Sequence, residues 1–436
     1  MNDRFVWNAE KFIADLSRLV EIPSMRDEAS ARVGAPFGEA VQCALEEAVN
    51  IGEEQQLIAH RYDGYAVDLR TGEGEDYIGV LCHADVVPAE PAQWISDPYH
   101  LARRGNFLYG RGVNDDKGPL VLLIHVLSQL KRNHSDLRPI RLIIGGAEET
   151  TWEGVKHYFS MEKQPMVAFS PDGDFPIVNH EKGTLKVRIH FPYRADPVVE
   201  SLESKVQELY TCEEVRLKIF GVEKPRVFTG KRALSRHPER GESALVPMLE
   251  TVEPQPGDRS EEWQSSFQQL CHCLRKYFSQ IEVEKIGEKA SIENVTITVL
   301  SANHGAGKTF FDVDFRYETA KNEQALVQDL QKILADYNAT VEVLKFMPLL
   351  FVQESDPFLQ NLVRAYETVT GEQAYMLKKG GASYARALER GVCFGPTFPG
   401  EIPNSHLSDE VISLVSFEKA AHIYYEALKQ LAVEKE

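Results

Sequence analysis

The chain of 436 residues has little cysteine, a deficit of positive charge and no long apolar run. Its six cysteines (Cys43, Cys82, Cys212, Cys271, Cys273 and Cys393) are scattered through a chain long enough to bury a sizeable core. That pattern argues against a disulfide framework and suits reduced thiols. Cys271-His272-Cys273 has metal-like spacing, but it lies in a helical pattern of Phe267, Leu270, Leu274 and Phe278. Residues two apart do not share a helix face, so a structural role is expected there. Lysine and arginine number 48 against 66 acidic residues, a net charge of −18. Such a chain lacks the basic face that a nucleic acid or an anionic membrane needs. No apolar stretch approaches the ~18 residues of a membrane span, and the first residues show no charged-then-apolar signal pattern. A cytoplasmic protein without nucleic-acid or membrane partner is expected. Internal repeats and low-complexity segments are also missing. Hydrophobic residues make up 43% and charged residues 26%, an ordinary globular composition for about two or three domains.

What the chain does have is a set of apolar segments that end in acids or histidine. Residues 77–82 read as a buried strand that stops at His83-Ala84-Asp85. Residues 139–145 form a second, ending at Glu148-Glu149, and residues 166–170 a third, ending at Asp172. A loop over residues 110–118 supplies Asp115 and Asp116, and Pro119 opens a nearly all-apolar helix running to Leu130. Helical spacing also marks residues 8–21, 37–49, 357–368 and 416–433. Strand, helix and strand with long crossovers predict an α/β fold whose mainly parallel sheet is flanked by helices. After Gly183 the strands alternate apolar and polar residues, as in a sheet with one wet face. Helical patterns at 198–210, 243–251, 262–280 and 323–336 lie between them. An α+β domain over residues 184–349 is therefore expected as an insertion between 1–183 and 350–436.

Ligands of open α/β sheets bind outside the carboxyl ends of the strands. Acids at several such ends converge on one face. Crowded carboxylates repel, and a cation resolves the conflict. Histidine with carboxylates is a ligand set that catalytic zinc accepts, and shared carboxylates suit a pair of metals. Read from the residues alone, the pattern leaves two alternatives, a metal site or scattered capping acids.

Five segments in order carry a resemblance: His83 to Pro88, Gly110 to Gly118 with Asp115-Asp116, Glu148-Glu149, Ser170-Pro171-Asp172, and Asn404-Ser405-His406. Together with Phe175 to Gly183 and Gly380 to Leu388 they resemble the aminoacylase-like co-catalytic zinc peptidases, and within them the PepV-type dipeptidases and carnosinases. The resemblance covers nearly the whole chain. It implies two Zn²⁺ ions, for which Mn²⁺ or Co²⁺ can substitute. His83 and Asp172 would hold one metal, Glu149 and His406 the other, and Asp115 would bridge both. Asp85 would hydrogen-bond the back of His83, and Glu148 would be the general base. The peptide bond between Asp115 and Asp116 is expected to be cis. The inserted domain corresponds to the family's lid. There Arg316 would bind the substrate carboxylate together with Gly380, Gly381 and Ser383.

The lid departs from the family pattern in three places, one of them the segment from Tyr193 to Asp196, which lacks the family's other lid Asn. Leu234 stands where the family has a carbonyl-polarising His, and Ser243 where it has Asn. Three readings follow. His237 is the donor through a shifted alignment; His304 or Arg236 replaces it; or the site is tuned to another substrate or to low activity. Asp196 is a candidate for binding the substrate amine. The reading as a whole is metal-dependent hydrolysis of short peptides, dipeptides in the first instance, by a monomer, with a homodimer as the other arrangement. The alternatives are an N-acyl-amino-acid deacylase or other amidohydrolase on the same scaffold, and a weakly active peptide-binding homologue.

Overall fold

The protein is described here by a computed structural model covering residues 4–134, 136–205, 210–252, 265–277, 296–318, 323–380 and 383–432. It divides into two compact units, Met1–His180 with Leu350–Glu436, and Glu181–Leu349.

The first unit is built on a nine-stranded sheet. Its order is Ile58–Tyr62, Ala66–Arg70, Ile140–Gly145, Ile78–His83, Val167–Ser170, Gly391–Cys393, Ile177–Glu181 and Leu350–Phe351, with Met376–Lys379 also pairing Ile177–Glu181. The four central strands, Ile140–Gly145 through Gly391–Cys393, are mutually parallel. On either side the pairings are antiparallel. The expected parallel sheet thus occupies the centre. Helices Lys117–Asn133 and Glu153–Met161 are its crossovers. Ile58–Tyr62 and Ala66–Arg70 instead form a hairpin, which a tight turn closes without a crossover. In that turn Gly64 has φ +78°, and a Cβ there would lie 2.2 Å from the carbonyl oxygen of Gly34.

The alternation of side chains along the central strands covers the sheet on both faces. Ile78, Val80, Cys82, Ile140, Leu142 and Ile144 join the main core, with helices Ala9–Val20, Glu39–Glu54, Lys117–Asn133, Pro357–Thr370 and Leu414–Ala432. Tyr77, Leu81, Ile143 and Ala168 face the other way, onto Val155 and Tyr158 of helix Glu153–Met161 and onto Tyr384. Burial on both faces is why these strands read as continuous apolar runs.

The second unit holds a seven-stranded antiparallel sheet. Its order is Arg226–Thr229, Glu214–Ile219, Val199–Ser204, Thr296–Gly305, Lys308–Tyr317, Gly183–His190 and Thr340–Met347. Helices Leu245–Thr251, Ser266–Tyr277 and Glu323–Ile333 pack on it around a core of their own. Cys271 and Cys273 are both buried in that core, and His272 lies 2.7 Å from the hydroxyl of Tyr337. One expectation fails here. Residues 198–210 were predicted helical, yet Val199–Ser204 is a strand paired with Glu214–Ile219. The register shifts between Val199 and Ser201. A bulge of this kind places Val199 and Leu202, three apart, on one face and so imitates a helical period. No helix among the described residues is long and apolar enough to cross a membrane.

Candidate metal centre

The parallel registers bring the acid-bearing strand ends level. His83 pairs with Gly145, Val80 with Phe169, and Cys393 with Ser170. The residues that follow, Asp85, Glu148-Glu149 and Asp172, therefore leave the same edge of the sheet. The loop over Gly110–Asp116 enters helix Lys117–Asn133 at that edge, and its Asp115–Asp116 peptide bond is cis.

Asp115 sits between two imidazoles. One carboxylate oxygen is 2.9 Å from Nε2 of His83, and the other is 3.0 Å from Nε2 of His406. The same His406 nitrogen is 3.0 Å from Oε1 of Glu149. Ligand atoms of His83, Asp115 and Glu149 all lie within 4.8 Å of one another. Glu149 Oε1 is buried, and among the described residues no donor, His406 included, meets it in hydrogen-bond geometry. Nδ1 of His83 faces the backbone carbonyl of Asp85 at 3.0 Å, so its hydrogen is committed there. A neutral His83 then turns a lone pair at Nε2 toward a carboxylate oxygen. Only a proton or a cation between the two relieves that contact.

The charges around this point have the same demand. Burial first, then mutual repulsion, holds the carboxyls of Glu149 and Asp172 above the ordinary carboxylate range. Glu148 is raised well above it by burial, with Glu149, Asp115 and Asp85 adding to the shift. Burial would lower both imidazoles, but the carboxylates outweigh it: His83 is raised by Asp115 and Asp85, and His406 by Asp115 and Glu149. Asp115 is lowered, burial being overcome by the two histidines. The donor set of two imidazoles and neighbouring carboxylates, one of them two-faced, fits a pair of divalent cations of the zinc type.

Four residues behind these donors hold them in place. Asp85 is buried, and its carboxylate accepts from the backbone N–H of Glu148 at 3.0 Å and of Glu149 at 3.1 Å. This differs from the expectation that its carboxylate would back His83: that oxygen stands 3.6 Å from Nδ1, and the carbonyl of Asp85 takes the role instead. The reason is geometric. The turn after Gly145 passes through a left-handed Ala147 (φ 63°) and aims two successive N–H groups at Asp85. Ser24 ties down the strand end, its hydroxyl donating to the Ala84 carbonyl at 2.6 Å. Asp116 accepts from the backbone N–H of His83 at 3.1 Å, and burial pushes its carboxyl up to about 8. Glu410, fully buried, accepts from Arg111 (2.7 Å) and from the backbone N–H groups of Gly112 (3.0 Å), Asn114 (2.8 Å) and Asp115 (3.1 Å). Sequence reasoning gave Glu410 no role, although it closes the segment that begins at Asn404. The available signal was an acid placed directly before the apolar pair Val411-Ile412 and four residues after His406.

The remaining expected residues are placed as follows. Ser383 is buried, its hydroxyl 2.8 Å from Sγ of Cys393, and Gly380 is partly buried. Gly381 lies outside the described residues. The others belong to the second unit. Arg316 donates to Asp314 (3.1 and 2.9 Å) and to the hydroxyl of Thr184 (2.9 Å). His237 is half-buried and paired with Glu239 at 3.2 Å. His304 is buried against Tyr193 and Phe267, with Nδ1 2.7 Å from the Thr309 hydroxyl. Burial holds His304 below its ordinary range. Ser243 accepts from the N–H of Leu245 at 3.3 Å. Asp196 does not suit a substrate amine. Its carboxylate accepts from Val198 and Val199 N–H, both at 2.8 Å, and from the Ser265 hydroxyl at 2.5 Å, so the chain's own donors occupy it.

Comparison with known proteins bears on what such a site does. The sequence profile of peptidase family M20/M25/M40 matches residues 79–430. A Bacillus subtilis relative that carries a provisional dipeptidase name, YtjP, is 30% identical over 97% of each chain. Among solved structures, human carnosine dipeptidase 1 superposes with a TM-score of 0.58 at 15% identity, over 97% of each chain. The Bacillus subtilis protein YXEP, described as a dinuclear metal-binding peptidase of the M20 family, gives 0.51 at 13% identity, over 98% of this chain and 100% of its own.

Proposed function

We propose that this chain, which belongs to peptidase family M20/M25/M40, is a two-metal dipeptidase. The family match and the dipeptidase name of the YtjP relative support hydrolysis of peptide bonds, and the dinuclear metal-binding neighbour supports dependence on metal. The finer reading is ours. The observation that carries it is the placement of the Asp115 carboxylate between His83 and His406, at 2.9 and 3.0 Å, with Glu149 beside His406.

His83 and Asp172 would hold one cation, Glu149 and His406 the other, and Asp115 both. When bound, zinc supplies Lewis acidity toward the scissile carbonyl and a water acidified toward neutrality. Glu148 is the general base. It takes a proton from the attacking water as the new C–O bond forms, and returns it to the nitrogen as the C–N bond breaks. Burial holds its carboxyl above the ordinary carboxylate range, which favours keeping the proton it carries from one step to the next. Asp85 fixes the backbone from which Glu148 and Glu149 project. Arg316 in the second unit, and Gly380 to Ser383 in the first, are the candidates for the substrate's carboxylate. The unit Glu181–Leu349 would act as the lid domain, in a cytoplasmic monomer. The dipeptidase name of the YtjP relative supports short free peptides as substrates.

The test is to count bound zinc in the purified protein and to assay a panel of dipeptides beside the matching N-acetyl amino acids. Metal-dependent cleavage of the dipeptides is expected. Glu148→Gln is expected to lower it by about 10²–10⁴ with metal content unchanged. Cleavage of only the N-acetyl compounds would assign a deacylase. Bound metal with no cleavage of either class would withdraw the dipeptidase reading.

A further inference from the structure

Asp115 comes from the loop before helix Lys117–Asn133, whereas His406 comes from a loop nearly three hundred residues later (406 − 115 = 291). Neither loop is a regular element at these positions. The later one is conformationally costly: Asn404, His406 and Asp409 all have left-handed backbone, with φ of 57°, 66° and 55°. Residues without glycine's freedom keep such angles only where surrounding contacts over-determine them.

We infer that Glu410 is the positioning residue that sets these two loops against each other, and thereby controls binding at the cation site formed by Glu149 and His406. The inference rests on the two-metal reading above. Its support is the way the carboxylate is divided. One oxygen accepts from Arg111 at 2.7 Å and from Gly112 N–H at 3.0 Å, and the other from Asn114 N–H at 2.8 Å and Asp115 N–H at 3.1 Å. A single buried side chain thus gathers the whole turn that presents Asp115. It does so from the base of the His406 loop, where Val411 N–H donates to the Pro403 carbonyl at 2.9 Å. Two further bonds tie the loops together on either side of His406. Arg111 donates to the Leu407 carbonyl at 3.1 Å, and the Asn114 amide donates to the Ser405 hydroxyl at 3.0 Å. Arg111 also lies over the ring of Trp94, 5.1 Å from its centroid, which fixes the guanidinium from the outside.

The carboxylate is specifically suited to this work because every partner is a donor. An amide of the same shape offers one acceptor oxygen and turns its NH₂ toward two donors. Glu410→Gln therefore loses two of the four bonds and adds an unfavourable contact, whichever way it flips. Residues behind metal ligands typically change affinity by about 10–100-fold when altered. Asp115 serves both sites, but His83 stands on its strand and is held by Asp85 and Asp116, so the site it shares with Asp172 is expected to suffer less than the one completed by the His406 loop.

The experiment titrates chelator-stripped wild-type and Glu410→Gln protein with Zn²⁺ against a chromophoric competitor, and records the melting temperature of each metal-free protein. Two bound zinc ions are expected for the wild type. The variant is expected to keep one site within about threefold and to weaken the other by about 10–100-fold, with full occupancy restored at excess zinc. Two wild-type affinities in the variant would overturn the inference. So would an equal loss at both sites with a lowered melting temperature, the signature of a merely structural role. Wild-type protein that takes up no second zinc would instead overturn the two-metal reading itself. Should Glu410→Gln not fold, Asn114→Ala decides. A smaller loss confined to one site supports the inference, and two unchanged sites refute it.

Discussion

Replacing Asp85 by asparagine separates what holds the Glu148-Glu149 turn from what holds His83. In the native protein the Asp85 carboxylate is 1% exposed and accepts two successive backbone N–H groups, at 3.0 and 3.1 Å. Asparagine keeps one acceptor and opposes the other N–H with its own NH₂. A buried donor left without a partner costs about 1–3 kcal/mol, and the surviving bond loses its charge assistance, about 1 kcal/mol more. The turn is therefore expected to open about 2–4 kcal/mol more easily, at about 1.4 kcal/mol per factor of ten. Hydrogen exchange at the amides of Glu148 and Glu149, read by mass spectrometry on peptides spanning residues 146–152, should accelerate by about 30- to 1,000-fold. His83 retains its bond to the Asp85 carbonyl, which the substitution does not touch. Exchange near His83 should therefore change little, while zinc affinity falls by about 10–100-fold. Wild-type exchange at both glutamate amides would refute the argument, because the carboxylate would then not be bearing on that turn.

Other consequences concern pH, the Asp115 loop and the second unit. Glu148, Glu149 and Asp172 hold protons above their usual range, as do His83 and His406 relative to 6.5, and metal binding must displace them. Zinc affinity should therefore rise with pH and fall on acidification, with proton release visible by calorimetry in buffers of different protonation enthalpy; binding without released protons would contradict the charge pattern. Gly118→Ala would place a Cβ 1.9 Å from the Val113 carbonyl oxygen. It is expected to cost about 3 kcal/mol in chemical denaturation and to displace the turn carrying Asp115; a variant of native stability would show that the loop yields freely. Asp196→Ala should destabilise the second unit by about 1–2 kcal/mol, as lost caps do, and leave KM for free-amine dipeptides unchanged. A selective rise in KM would return Asp196 to the substrate.

Much of the first unit was legible because its central strands are buried on both faces. Continuous apolar runs such as residues 78–82, broken abruptly by His83 and Asp85, mark both the strand and the point where it leaves the sheet. Val199–Ser204 was misread because a bulge places Val199 and Leu202 on one face at a spacing a helix would also produce. The antiparallel flanks of the sheet depended on which strands became neighbours, a matter of pairing that residue pattern leaves open. At the site, residue type left a metal centre and capping acids both open, and the resemblance supplied the candidate donors, His406 among them. The resemblance assigned Asp85 to His83, and only the turn at Ala147 shows its carboxylate facing two glutamate amides while its carbonyl meets the imidazole.

The amino-acid sequence by itself determined which central strands of the first unit are buried, where they end, and which chemistry stands at those ends, because burial and charge are properties of residues. Tertiary structure alone decided which of those groups meet. Parallel registers level His83 with Gly145, and the closure of a loop far along the chain brings His406 to Asp115. Glu410 shows the difference most clearly. As a residue type it is an ordinary surface acid. It becomes a fully buried acceptor of four hydrogen bonds only because two distant loops turn their donors toward the same point.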